Sequence, residues 1–205
     1  MFNIPTVTVA KTTLASTANS VTLTYAAPAG VSWTPRHLYV RINNKAESGQ
    51  PSNNMRFNGD TGSNYNRQHM QGSISTPSAG RNTNGTGIHA GQNESGSYEF
   101  GTTEILIPDA FSTRSHKSTI ALSGATEDSM QAITGRWANT AAITSVTIYT
   151  SGVHYSVGSD FQLCVVDESF NIDEQIKASS GTFTVGSIAA ADGDLVVIGN
   201  LRSDR

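Results

Sequence analysis

Cysteine is nearly missing from this chain. Cys164 stands alone among 205 residues, so no internal disulfide staples the fold. It sits in the apolar run Phe161-Gln-Leu-Cys-Val-Val166 and reads as a small buried hydrophobe. Charge is scarce as well: Asp, Glu, Lys and Arg supply 14% of the residues, with a net charge of −3, about half the usual charged share. No basic block stands out, which excludes nucleic-acid binding as a main role, because phosphate neutralisation needs clustered Lys and Arg. Long hydrophobic runs are lacking. No segment reaches the roughly 18–20 apolar residues of a membrane-spanning helix. Met1-Phe-Asn-Ile-Pro5 lacks the basic start and apolar core of a secretion signal, so the expectation is a protein made in a cytoplasm and not exported by that route. Helical periodicity is also rare.

What fills the chain instead is Ser, Thr, Asn and Gly, a mixture suited to short strands joined by many turns. Period-2 alternation recurs. Val21, Leu23 and Tyr25 alternate with Thr22 and Thr24, and Leu38, Val40 and Ile42 with Tyr39 and Arg41. Met55 and Phe57 flank Arg56, and Ile105 and Ile107 follow Thr103. Ile120 and Leu122 alternate with Thr119 and Ala121, Val146 and Ile148 with Thr147 and Tyr149, and Phe161, Leu163 and Val165 with Gln162 and Cys164. Seven or more short strands, each with one apolar face, predict an all-β protein of two packed sheets or a barrel.

The predicted organisation is an N-terminal arm over 1–19, a sandwich over 20–167, and a linker with a C-terminal hairpin over 168–205. Gly59 to Ser97 is rich in Gly, Ser, Asn, Thr and Gln and reads as a long polar loop 59–97, ordered by a neighbour. The plainer alternative is a mobile surface loop with one short strand near Gln68–Gly72. The tail echoes the start: Ser20–Tyr25 and His37–Asn43 are matched by Gly181–Val185 and Asp194–Asn200. A truncated second copy, a strand-exchange element and chance similarity all remain open.

Reactive constellations are absent from the pattern. His37, His69, His89, His116 and His154 show no metal-ligand spacing. No GxSxG elbow or P-loop occurs. Asp60, Glu94, Glu99, Glu104, Asp109, Glu127 and Asp128 offer no local acid pair of the kind glycoside hydrolysis needs. Phe57-Asn-Gly-Asp-Thr-Gly-Ser-Asn-Tyr65 is distinctive. Asn58, Asp60 and Asn64 carry oxygens a Ca²⁺ ion accepts, but Asn-Gly-Asp is first of all turn chemistry, with Tyr65 folded back as an anchor. Trp137 is a core plug or a stacking platform for a sugar. Trp33, beside Pro35, reads as surface or interface. Trp33, Tyr65, His69, His89 and Trp137 are therefore the candidate partner or glycan contacts, and no catalytic residue is assigned.

Arg56–Tyr65, Ile107-Pro108 with Arg114–Ser118, Arg136-Trp137 before Thr140–Ile148, and Gly158–Phe161, in this order, resemble small bacteriophage virion proteins of the minor structural, tail-fibre-like or head-decorating type. The resemblance covers roughly Val21 to Val166. It implies a jelly-roll β-sandwich without enzymatic activity or cofactor, assembled as a homo-oligomer, with threefold symmetry favoured. Other virion proteins and a host-surface glycan are the implied partners, and the virion surface the implied location. A tail-associated role comes first, a capsid decoration protein second, and a carbohydrate-binding or carbohydrate-active domain third. The chain departs from that family at Leu163-Cys-Val-Val166, where a Leu-Tyr-Gly ending is common, and in the length of 59–97. Both departures concern surfaces that meet a partner.

Overall fold

The computed structural model describes residues 5–29, 34–73, 77–94, 100–125 and 129–166. The expected C-terminal hairpin and Trp33 lie outside the described residues. Contacts divide the chain into Met1–Asp167 and Glu168–Arg205, and every described residue belongs to the first unit.

Twelve strands and no helix occur among the described residues. They are β1 (Thr6–Thr13), β2 (Ser20–Thr24), β3 (Leu38–Asn44), β4 (Ser52–Phe57), β5 (Tyr65–Ser73) and β6 (Pro77–Gly85) in the first half. In the second half come β7 (Ile88–Gln92), β8 (Gly101–Ile107), β9 (Lys117–Ala125), β10 (Ser129–Trp137), β11 (Ser145–Tyr149) and β12 (Asp160–Val166). They form two antiparallel sheets: eight strands in the order β1-β12-β3-β8-β9-β10-β5-β6, and four in the order β2-β11-β4-β7. The protein is an all-β sandwich.

Alternation places most of the core as expected. Val21 and Leu23, Leu38, Val40 and Ile42, Met55 and Phe57, Ile105 and Ile107, Val146 and Ile148, and Phe161, Leu163 and Val165 meet in one buried cluster. Each such side chain contributes roughly 1.5–3 kcal/mol by leaving water. On the outer face of the large sheet, Tyr39, Cys164 and Val166 form a second, smaller buried cluster.

Three expectations need correction. First, residues 59–97 are not a loop: they carry β5, β6 and β7. β6 ends the large sheet, pairs with β5 alone and is mostly exposed, so it needs few apolar side chains. β7 ends the small sheet; β5 and β7 give Tyr65, Ile88 and Ala90 to the core, beside hydrogen-bonding His and Gln side chains. Second, the arm 1–19 contains β1, which pairs with β12 and closes the other end of the large sheet. Third, β9 faces the opposite way. Ile120 and Leu122 point outward, 46% and 40% exposed, while Thr119 and Ala121 are buried.

The inversion of β9 has a steric cause. β7 crosses the large sheet closely. A Cβ on Gly91, whose φ is +93°, would lie 2.3 Å from Thr103 Oγ1 and 2.4 Å from Ser123 Oγ. A Cβ on Gly135 would lie 2.4 Å from Ile88 Cγ2 and 2.6 Å from Thr119 Oγ1. The β9 residues at this crossing are Thr119 and Ser123, with little room for larger ones, so the large apolar residues of β9 take the other face, since the side-chain period is two.

Candidate functional site, an exposed apolar face

The aromatic residues proposed as contacts are structural. β4 leaves through a turn in which Asp60 N–H donates to Phe57 C=O at 2.9 Å. Its central residues Asn58 and Gly59 have φ of 52° and 68°, the type I′ signature that Asn-Gly favours. The Asp60 carboxylate then collects three donors: Gly62 N–H at 2.8 Å, Asn64 Nδ2 at 2.9 Å and Trp137 Nε1 at 2.7 Å. These bonds, led by the indole N–H, hold its pKa below the ordinary carboxylate value. Asn58 Oδ1 instead accepts from Thr144 and Ser145 N–H at 2.8 and 3.2 Å. The oxygens that the sequence offered to Ca²⁺ thus tie the turn to its neighbours.

Trp137 is 1% exposed and lies nearly parallel to Tyr65, centroids 6.3 Å apart. Tyr65 OH accepts from Phe57 N–H and donates to Asp60 C=O, both at 3.1 Å. Burial pushes its pKa up to about 12. Both rings are plugs and anchors, which removes Tyr65 and Trp137 from the contact candidates.

The histidines of the supposed loop come together in the interior. His89 on β7 is 5% exposed, and its ring centroid lies 5.6 Å from that of His69 on β5. His89 Nε2 meets Gln131 Oε1 at 2.7 Å; Gln131 Nε2 donates to Gln71 and Gln92 Oε1 at 3.1 and 2.9 Å. An amide oxygen only accepts, so His89 is the Nε2–H tautomer. Burial pushes its pKa down to about 4. His69 is half-buried against Gly80. Among the described residues no group of three or more His, Cys, Asp or Glu side chains converges. This is a hydrogen-bonded layer inside the sandwich centred on Gln131, in which Nδ1 of His69 and of His89 finds no partner.

Lys117 is equally committed. It is 1% exposed, and its ammonium donates to the carbonyls of Ser112, Ser115 and Thr140 at 2.5, 3.0 and 3.1 Å. Desolvation lowers its pKa.

The feature that the core does not use is the outer face of β9, β10, β5 and β6, bordered on β8 by Leu106, which packs against the second cluster. Register places its outward residues in rows. The first row reads Thr102, Gly124, Met130, Gly72, Pro77. The second reads Glu104, Leu122, Ala132, Met70, Ala79. The third reads Leu106, Ile120, Thr134, Gln68, Arg81. Met130 is 75% and Met70 67% exposed. A Cβ at Gly72 or Gly124 would meet nothing within 4 Å, so Met130 rises between two empty positions. The apolar surface is contiguous across four strands, β9 to β6. Such a patch, unlike scattered apolar residues, marks an interaction site.

Sequence reasoning missed this face because it sent Ile120 and Leu122 into the core and read Met70 as loop. A signal was available: Met130-Gln-Ala-Ile-Thr134 puts Met, Ala and Thr on one parity and Gln and Ile on the other, so either face of β10 could be the wet one. Comparison with known proteins adds no relative: no family model, curated protein or solved structure matches this chain.

Proposed function

We propose that this protein is a non-enzymatic structural component of a bacteriophage particle, tail-associated, held in place by its sheet surfaces. The observation that carries this reading is the division of labour between the two faces of the large sheet. The inner face spends its polar groups on the fold: Lys117 on three carbonyls, Gln131 on His89 and two glutamines. The outer face keeps Met70, Ile120, Leu122 and Met130 in water, an arrangement that gains free energy when another surface covers it. The virion assignment itself stands on the resemblance of Arg56–Tyr65, Arg114–Ser118 and Arg136–Ile148 to small phage virion proteins. Low charge and a Ser/Thr/Asn-rich surface support it, because neutral polar surface packs against copies of itself without strong repulsion.

The test is location. Purified particles of the encoding phage are probed with gold-labelled antibody to this chain and their copy number is measured by quantitative mass spectrometry. Label at the tail, in a few to dozens of copies, is expected. Label over the shell in hundreds of copies would make it a decoration protein, and particles without the protein would end the virion reading.

A further inference from the structure

We propose that the exposed face over β9, β10, β5 and β6 pairs with the same face of a second copy of this chain, about a two-fold axis along β10. The proposal rests on the assembly reading and names the partner of that face.

An isologous contact requires a surface that is complementary to itself. The first two rows have this property about β10, while the third sets Ile120 opposite Gln68. In the first row Met130 has a glycine on either side, Gly124 on β9 and Gly72 on β5. In the second row Ala132 has Leu122 on one side and Met70 on the other. One strand further out, Glu104 borders the patch on β8, and Ala79 borders it on β6, with Arg81 one row away. A two-fold rotation along β10 lays β9 of one copy over β5 of the other, and β8 over β6. Leu122 then meets Met70 of the second copy, twice by symmetry. The two Met130 side chains come together beside empty glycine positions and have room to lie side by side. The small Ala132 lets the faces approach at the centre. Glu104 of each copy, which has Arg41 opposite it on β3, arrives over the strand that carries Arg81 of the other.

The alternatives fit less well. Strand addition along the open β6 edge meets Pro77, which has no N–H to donate. A lipid surface calls for basic residues around the apolar patch, and Glu104 occupies one rim. The extent of the face sets the strength. Three rows on five strands cover roughly 20 Å each way, about half of the ~800 Å² a side of a standard interface. The solution dimer is therefore weak, and a particle, which holds copies at high local concentration, completes it.

Sedimentation equilibrium of the full chain from about 1 to 300 µM should show monomer and dimer exchanging, with a midpoint on the order of 10–100 µM. Leu122→Glu with Met130→Glu should stay monomeric throughout while melting as the wild type does. Glu104→Arg should weaken pairing about 5-fold, and adding Arg81→Glu should restore it. A wild type that is monomeric at 300 µM or forms trimers would overturn the proposal. So would a Leu122→Glu, Met130→Glu variant that still dimerises, or a charge swap that restores nothing. These outcomes are separate from location: a monomer found in particles ends the pairing and spares the virion reading, and a dimer missing from particles does the reverse.

Discussion

At Trp137 one side chain does two jobs, filling the core and donating to Asp60 at 2.7 Å. The two are separable by mutation. Trp137→Ala should cost roughly 3–5 kcal/mol through the cavity it leaves. Trp137→Phe keeps most of the volume and should cost about 1–3 kcal/mol, chiefly the unsatisfied carboxylate. Urea denaturation of the two variants checks this; a Trp137→Phe variant as stable as the wild type would mean the indole N–H contributes nothing.

His89 sets an acid limit. Its folded pKa is near 4, against about 6.5 in the unfolded chain, so below pH 6.5 the unfolded state binds a proton that the folded state refuses. Stability is therefore whole above pH 6.5 and falls as pH drops towards 4, by about 3 kcal/mol. Arg67 and His69, both nearby, add to the resistance. His89→Gln should remove this slope, read as the difference between variant and wild-type stabilities across that window. Lys117 is a buried group whose ammonium is held by three carbonyls. Lys117→Met keeps its shape but strands three carbonyls, and should cost about 2–4 kcal/mol by thermal melting.

β7 and β9 show why some elements could be read from the sequence and others could not. β3, β8, β11 and β12 bury bulky apolar residues on one face, so alternation alone located them and their direction. β5, β6 and β7 carry almost no apolar signal. β6 lies at an edge with little to bury, and β5 and β7 add only Tyr65, Ile88 and Ala90 to the core beside Gln and His side chains that bond across the layer. Such pairing depends on neighbours distant in sequence: Gln131 and Gln71 are separated by 60 residues. β9 was legible as a strand, but its direction depended on the closeness of β7, which no local pattern reveals. The candidate site suffered most, because Tyr65, His89 and Trp137 have the chemistry of contacts and the burial of core. The turn at Asn58-Gly59, by contrast, was legible because its backbone demands those residues. Gly91→Ala tests the crossing: with positive φ and two hydroxyls within 2.4 Å of the new methyl, it should cost about 2–4 kcal/mol. A near-neutral result would show that β7 lifts away easily.

Across the large sheet, the inner face carries the main core while the outer face leaves Met70, Ile120, Leu122 and Met130 exposed. Substitutions on the outer face should therefore leave the monomer intact: Met130→Gln, at a position 75% exposed, should change unfolding free energy by less than about 0.5 kcal/mol. Buried positions on the same strand, such as Ile133 at 2% exposure, should behave oppositely, with Ile133→Ala costing about 2–5 kcal/mol. A strand whose alternate residues answer to different assays, melting for one parity and self-association for the other, is what the two-faced sheet predicts.

The most direct measurement is a cryo-EM reconstruction of intact particles in which this sandwich is located by its own density. The expected result is density on the tail, with the Met70, Leu122 and Met130 face covered by a second copy. A particle without the sandwich would contradict the virion assignment, and a sandwich on the particle with that face turned to solvent would contradict the pairing.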